Sequence, residues 1–218
     1  WIFTKDYAEE TLNNQFQTKT LKGFGIDNLP KATVAAGAIF HYLGENQHKR
    51  LNHITSIARI EEERYVWLDR FTVRNLELLS STNENAKTLS DILDETQTAM
   101  GGRMLKRWMV LPLKNKAPIE RRLSVVSFLK EHQELSFELS QRLKNIGDLE
   151  RLISKVAVGK VNPREVAHLK RTLTEIPSIK TLLQKKSNPK GLSEMLNKLD
   201  SCEKLVALID KTLAEEPA

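Results

Sequence analysis

The sequence predicts a mainly α protein with a multi-helix body, a short β element near the start of that body, and a small helical piece at the N-terminus. Two observations predict this class. From residue 89 onward, apolar residues recur every three to four positions. Hydrophobic residues make up 40% of the chain and aromatic residues only 6%, a balance that favours aliphatic helix packing. A chain of 218 residues can also bury about 70% of its unfolded surface.

The N-terminal piece is predicted to contain two helices. Residues 6–15 have a helix-forming composition. After a glycine-containing loop, Pro30 suits the first turn of a second helix over residues 31–42, because that turn does not need its missing N–H. The second helix carries a face of small residues that another element could approach closely. These residues are Ala32, Ala35, Ala36, Gly37 and Ala38.

The only β structure that the sequence predicts lies between residues 50 and 79. Three isoleucines and then an aromatic run at residues 65–68 indicate short extended pieces around a polar turn at residues 61–64. The isoleucines are Ile54, Ile57 and Ile60. Residues 80–87 are polar and indicate a surface loop.

Four apolar stripes predict the helices of the body, each on one helix face. In chain order they are Ile119, Leu123, Val126 and Leu129; Leu149, Leu152, Ile153 and Val156; Val166, Leu169, Leu173 and Ile176; and Leu205, Leu208, Ile209 and Leu213. The fourth stripe is expected to be exposed or to be hidden by self-association.

Prolines and a capping sequence predict where the body helices begin and end. Pro112 is expected to close one helix, Pro118 to open the next, and Pro177 to interrupt a third. The clearest start is residues 162–165, where Asn162 can cap free N–H groups and Glu165 can reach back to the cap residue.

The net charge of +6 favours approach to phosphate polymers, but lysine and arginine alternate with acidic residues almost everywhere. The densest basic cluster contains Lys185 and Lys186 and is interpreted first as a solvated turn. A phosphate or partner contact at these two lysines is the alternative. No stretch is long and apolar enough to span a membrane, and the single cysteine agrees with a reducing cytoplasm.

The residues show no catalytic, metal or cofactor site. Gly101 and Gly102 lack the following lysine and hydroxyl residue of a phosphate-binding loop, and they are interpreted as a close helix contact. The five histidines lack the spacing that places two ligands on one helix face. No nucleophile stands beside a histidine, so we expect no enzyme activity and no cofactor within these residues.

The stretch after Gly102 carries three basic residues and a tryptophan. Trp108 is predicted to lie in the core, because it follows Leu105 by three positions. Arg103 is predicted to pair with an acidic residue rather than with phosphate. Its candidate partners are Asp94, Asp148 and Glu150. Lys106 and Arg107 remain candidate phosphate or partner contacts.

Three runs, in this order and spacing, resemble MutS-type DNA mismatch repair proteins over nearly the whole chain. They are Arg74-Asn75-Leu76-Glu77-Leu78; Thr98-Ala99-Met100-Gly101-Gly102-Arg103-Met104-Leu105 with Trp108 and Pro112; and Gly147-Asp148-Leu149-Glu150-Arg151. The resemblance implies that these motif residues have structural roles. It also implies a division into the end of the connector domain, residues 1–48, and the first part of the core or lever domain, residues 49–218.

By this resemblance the chain is expected to be a piece of a longer protein, since it does not begin with methionine. The lever domain of the family joins the ATPase to the DNA clamp, so the implied role is structural and allosteric. ATP, magnesium and mismatched duplex DNA would bind to domains outside these residues. A MutL-like protein and a second copy of the parent protein are the implied protein partners, and the implied location is cytoplasmic.

Two other functions are compatible with the residues. The chain could be a helical protein-interaction module, for MutL docking or another partner, without direct DNA contact. It could also bind DNA or RNA independently through its basic surplus, which salt-dependent binding to duplex DNA would reveal.

Overall fold

A computed structural model describes residues 1–26, 28–46, 51–59, 62–83, 85–157 and 159–214. These residues contain eleven α-helices and two 3-10 helices, Lys22–Phe24 and Glu62–Arg64. The α-helices are α1 Lys5–Phe16, α2 Pro30–Glu45, α3 Arg70–Asn75, α4 Leu89–Leu93, α5 Ala99–Val110, α6 Lys116–Glu131, α7 Gln133–Leu143, α8 Leu149–Ala157, α9 Pro163–Gln184, α10 Lys190–Lys198 and α11 Glu203–Thr212. The mainly α fold predicted from the sequence is therefore confirmed.

The chain forms two compact units. The first comprises Trp1–Glu61 and Ile153–Lys160, and the second comprises Glu62–Leu152 and Val161–Ala218. In the first unit α1 packs closely against α2, with Ala8 fully buried at their contact. A Cβ atom added to Gly37 would lie 2.6 Å from the Cα atom of Ala8. Only glycine at position 37 allows this approach. The predicted small-residue face is therefore confirmed at Gly37, whereas Ala32 and Ala35 on the same helix are exposed.

The core of the first unit is formed by three buried side chains, Leu12, Leu21 and Ile26. Partly buried apolar residues surround them, namely Phe16, Phe24, Leu29, Ala36, Phe40 and Ile57. The same unit holds residues 51–59 through a side-chain amide. The Nε2 atom of Gln15 donates to the carbonyl oxygens of Leu51 and Ile54 at 2.8 Å and 3.0 Å.

The predicted β element is reduced to one antiparallel bridge between Tyr65 and Leu113 within the described residues. The N–H of Val66 donates to the carbonyl of Pro112 at 2.8 Å, and the N–H of Lys114 donates to that of Arg64 at 3.1 Å. The stretch with Ile54 and Ile57 forms no strand, because Gln15 rather than a second strand binds its backbone. Ile60 lies outside the described residues.

The core of the second unit lies between α6, α7, the C-terminal half of α9 and α10. Its buried side chains are Phe128, Leu135, Ile179, Leu182, Leu183, Leu192 and Leu196. The predicted stripe of α6 is only partly correct. Leu123 and Val126 are 56% and 60% exposed, whereas Phe128 is buried and Val125 and Leu129 pack beside it. Helix α6 therefore buries the face centred on its aromatic residue.

Helix α9 continues through Pro177 from Pro163 to Gln184, so the predicted interruption is wrong. Proline removes one backbone hydrogen bond from the helix. Buried residues on both sides, Leu173 before it and Ile179 after it, hold the helix together by packing. The predicted start is confirmed, because Asn162 and Glu165 form a reciprocal capping box.

The predicted stripes of α8 and α11 are only partly buried. In α8, Leu152 is buried but Ile153 is 58% exposed. Helix α11 contacts α9 through the buried Ile209, while Leu208 is 61% exposed. The apolar stripe of α11 is thus partly buried and partly exposed to solvent. None of the helices in the described ranges is long and apolar enough to cross a membrane.

Candidate functional site

The first motif, residues 74–78, ends α3 in a turn that requires an unusual backbone conformation. Glu77 has φ +48°, in the left-handed region. The N–H of Leu78 donates to the carbonyl of Val73, and the N–H of Glu77 donates to that of Arg74, as in a Schellman C-cap. The turn buries Leu78 and leaves Leu76 59% exposed. Arg74 and Asn75 form the last residues of α3.

We expect Glu77→Gly to be more stable than Glu77→Ala. Both variants lose the hydrogen bond that the Glu77 carboxylate accepts from the Ser81 hydroxyl at 2.6 Å. Only glycine adopts the left-handed conformation without a steric cost, so the difference should be about 1 kcal/mol in the free energy of unfolding. Denaturant unfolding measures it, and equal stabilities would contradict the proposed role of this turn.

The second motif folds a loop back onto the first turn of α5. The Oγ1 atom of Thr98 accepts from the N–H of Gly101 at 3.0 Å and caps the helix. A Cβ atom on Gly101 would lie 3.0 Å from that oxygen, and one on Gly102 would lie 3.2 Å from an Asp94 carboxylate oxygen. The absence of side chains at these two glycines therefore lets the loop at residues 94–98, which precedes α5, pack against the helix. Their interpretation as a contact with another helix is wrong.

Arg103, one turn into α5, binds two carboxylates more than 40 residues further along the chain. Its Nη1 and Nη2 atoms donate to the two oxygens of Asp148 at 2.8 Å and 2.6 Å. Its Nε atom donates to Glu150 Oε2 at 2.9 Å, and Nη2 shares the same oxygen. All three guanidinium nitrogens are thus used. The predicted ion pair is confirmed with Asp148 and Glu150, whereas the Asp94 side chain bonds to Thr96 instead.

Asp148 also fixes the start of α8. Its Oδ1 atom accepts from the N–H of Arg151 at 3.2 Å, as an N-cap side chain does. The hydrogen bond from Arg103 is the main cause that lowers the pKa of the Asp148 carboxyl from 3.8 to about 2. The same contacts raise the pKa of the Arg103 guanidinium. Both groups therefore stay charged at every physiological pH.

Gly147 attaches the same stretch to α9. Its N–H donates to the hydroxyl of the fully buried Thr172 at 3.0 Å. A Cβ atom on Gly147 would overlap with the His168 imidazole and would lie 3.1 Å from Thr172 Oγ1, so α9 passes close to this glycine. Sequence reasoning missed both contacts on α9. The only signal in the sequence is Gly147 itself, which directly precedes the capping residue Asp148.

Residues 147–151 thus join three helices at one point, which we call the junction. Arg103 connects it to α5, Asp148 begins α8, and Thr172 connects it to α9. The junction can hold the first residues of α8 against α5 and α9. It offers no unpaired nucleophile or base for catalysis. No group of three or more potential metal ligands occurs among the residues that the structure describes.

The stabilising effect of Asp148 is expected to disappear in acid. Its folded pKa lies below the ordinary value, so the ionised form stabilises the fold above about pH 4, and this contribution is lost as the pH falls toward 2. Asp148→Asn should therefore lower the midpoint of thermal unfolding at pH 6 and lower it much less near pH 2.5. A pH-independent difference between wild type and variant would contradict this expectation.

Trp108 is 39% exposed, so its predicted core position is wrong. The guanidinium carbon of Arg122 on α6 lies 3.5 Å from the centroid of its ring. The indole therefore packs beneath a cation at the surface. Leu105, on the same helix, is partly buried, and Pro112 follows the end of α5.

The four candidate phosphate or partner contacts lie in two places. Lys106 and Arg107 are exposed on α5, and Lys106 borders a shallow depression with Arg103. Lys185 and Lys186 follow α9 and line a cleft with acidic side chains. These acidic residues are Glu131, Glu134 and Glu138. The structure does not bring these two basic pairs together into one surface.

Two family models match this chain over most of its length. The model described as MutS domain III matches residues 71–218, and the model described as MutS domain II matches residues 1–55. The helical body with its junction therefore corresponds to domain III, and the N-terminal helical piece corresponds to domain II. The boundary predicted between residues 48 and 49 falls within residues 47–50, outside the described residues.

Individual relatives agree with the family models. The DNA mismatch repair protein MutS of Flavobacterium psychrophilum is 52% identical over 216 residues, which are 99% of this chain and 25% of that protein. MutS of Christiangramia forsetii is also 52% identical over 216 residues, and MutS of Bacteroides fragilis is 45% identical over 217. The chain belongs to the MutS family, and it spans about a quarter of the length of these relatives.

Proposed function

We propose that these residues are a structural and allosteric segment of a MutS mismatch repair protein. In this proposal they link an ATPase, located elsewhere in the parent protein, to the clamp that grips mismatched DNA. The junction is the observation that carries the proposal. One arginine with three bonded nitrogens and one buried threonine connect α5, the start of α8 and α9, so a displacement at one of these points is passed to the other two.

The contacts of Arg103 suit the transmission of a helix movement better than the role of a solvated surface charge. A bidentate contact between guanidinium and carboxylate fixes direction as well as distance, because two parallel hydrogen bonds are made. Helix α9, with 22 residues, extends about 33 Å at 1.5 Å per residue. Such a helix can carry a shift from the junction to a distant site as a rigid body.

The proposal assigns chemistry and partners to the parent protein rather than to these residues. ATP and magnesium would bind to its ATPase, and mismatched duplex DNA would bind to its other domains. A MutL-like protein and a second copy of the parent protein would be its protein partners. The names of the relatives, all DNA mismatch repair proteins, support this assignment.

Arg103→Gln in a full-length MutS protein that carries these residues tests the proposal. We expect basal ATP hydrolysis to stay within about twofold of wild type, because the variant leaves the ATPase itself unchanged. We expect ATP-triggered release from mismatched DNA to slow by about tenfold, which corresponds to about 1.4 kcal/mol of coupling. Stopped-flow fluorescence with labelled mismatched DNA measures this release.

Arg121→Gln is the matched control. Arg121 also pairs with a glutamate on another helix, at 3.1 Å from Glu194 on α10. Among the described residues this is the only ion pair of its guanidinium, and Arg121 lies outside the junction. Its loss should leave the release rate within about twofold of wild type. Equal slowing by the two variants, or unchanged release in Arg103→Gln, would refute the transmission role.

A further inference from the structure

The bridge at the start of the second unit places two cations opposite each other. Because Tyr65 pairs with Leu113, Arg64 lies directly across from Lys114, whose N–H donates to the Arg64 carbonyl. Like charges in this position repel each other and destabilise the pairing. Among the residues that the structure describes, neither side chain forms an ion pair. Within the described residues the arrangement therefore has no structural explanation.

A third cation, Arg122, lies near the same bridge. It packs 3.5 Å above the Trp108 ring, and Arg64 lies 5.7 Å from the centroid of Tyr65. Burial lowers the pKa of the Arg122 guanidinium, and the positive charge of Arg64 lowers it further. Within the described ranges Arg122 also has no carboxylate partner. Both guanidinium groups are thus held against aromatic rings while their hydrogen-bond donors remain available.

Two large apolar side chains close in sequence to Tyr65 and Trp108 are exposed. Met104 precedes Trp108 by one turn of α5 and is 51% exposed, and Trp67 follows the bridge and is 65% exposed. Arginine, tryptophan, tyrosine and methionine are the residues enriched at the centres of protein interfaces. A surface that follows a nucleic acid backbone would instead present a longer row of cations. This composition therefore favours a protein partner.

We propose that this face, formed by Arg64, Tyr65, Trp108, Lys114 and Arg122, is a docking surface for an acidic segment of a partner protein. The segment must carry carboxylates, to neutralise three cations that repel one another. It must also carry apolar side chains, to cover Trp108 and Met104. None of these five residues belongs to the junction, although Trp108 lies on the same helix as Arg103.

Fluorescence anisotropy with a full-length MutS protein that carries these residues tests this surface. The probe is a labelled amphipathic peptide of about 20 residues made of glutamate, leucine and phenylalanine. A second peptide has glutamine in place of every glutamate, and a third probe is single-stranded oligothymidylate. The test variant is Arg64→Gln with Arg122→Gln. The control variant, Lys116→Gln with Arg121→Gln, removes the same charge from residues that pair with Glu120 and Glu194.

We expect the acidic peptide to bind wild type and the control variant alike, and to bind the test variant at least about tenfold more weakly. The glutamine peptide should bind wild type no better than it binds the test variant. The single variant Arg64→Gln should weaken peptide binding less than the double variant does, because Arg122 still packs on the Trp108 ring. The proposal would be overturned if the acidic peptide did not bind, or if both double variants weakened its binding equally. It would also be overturned if only oligothymidylate bound and its binding depended on Arg64 and Arg122.

Discussion

Gly37→Ala is expected to destabilise the first unit by about 3 kcal/mol, the upper end of the usual cost of overpacking. The new methyl group would fall 2.6 Å from the Cα atom and 2.7 Å from the Cβ atom of Ala8. The atoms in the way belong to the backbone and to the shortest of side chains, so no rotamer change can make room. Helices α1 and α2 must move apart, and the buried Leu12 between them would lose its packing.

Gly44→Ala in the same helix is the control for this prediction. No atom lies within 4 Å of a Cβ added to Gly44. Because alanine favours the helix more than glycine does, this variant should be about 0.5 kcal/mol more stable than wild type. Denaturant unfolding of both variants gives the two values. Similar effects at the two glycines would show that α1 and α2 do not make the close contact described above.

Phe128→Ala should lower the stability of the second unit by about 3–5 kcal/mol, as is usual when a buried phenylalanine is removed. Phe128 is 8% exposed and lies in the core between α6, α7, α9 and α10. The cavity that it leaves would be lined by leucines from three helices, and rigid packing allows only part of that space to close.

The variant Leu123→Ala tests which face of α6 is buried. Leu123 belongs to the apolar stripe recognised in the sequence, yet it is 56% exposed. Its loss should change the free energy of unfolding by no more than about 0.5 kcal/mol. A larger effect for Leu123→Ala than for Phe128→Ala would mean that α6 turns its other face to the core.

The sequence predicted local features of this fold well because they depend on neighbouring residues. The capping box of Asn162 and the close packing at Gly37 follow from residue types and short spacings, and the structure confirms both. An ion pair of Arg103 is also predictable, because the charge of the arginine needs a carboxylate. Only the fold selects Asp148 and Glu150 from the three candidate partners and leaves Asp94 bonded to Thr96.

Features that depend on distant elements could not be predicted in this way. Helix α6 carries apolar residues on two faces, so periodicity alone could not select the face of Phe128 over that of Leu123. The helical spacing of Trp108 from Leu105 predicts a core position, but Arg122 from the next helix covers the exposed indole instead. Neither Thr172 nor His168 carried a signal for its contact with Gly147, since that contact forms only when α9 crosses the junction.

In the proposed function, Arg103 and Asp148 act as one unit in transmitting nucleotide state to the grip on DNA. A double-mutant cycle on the rate of ATP-triggered release from mismatched DNA tests it most directly. The three variants are Arg103→Gln, Asp148→Asn and the combination, each in a full-length MutS protein that carries these residues. If the pair acts as a unit, the combination should release DNA no more slowly than the slower single variant. If the fold-reductions in release rate of the two single variants multiply in the combined variant, the two residues act independently and the proposed unit is contradicted.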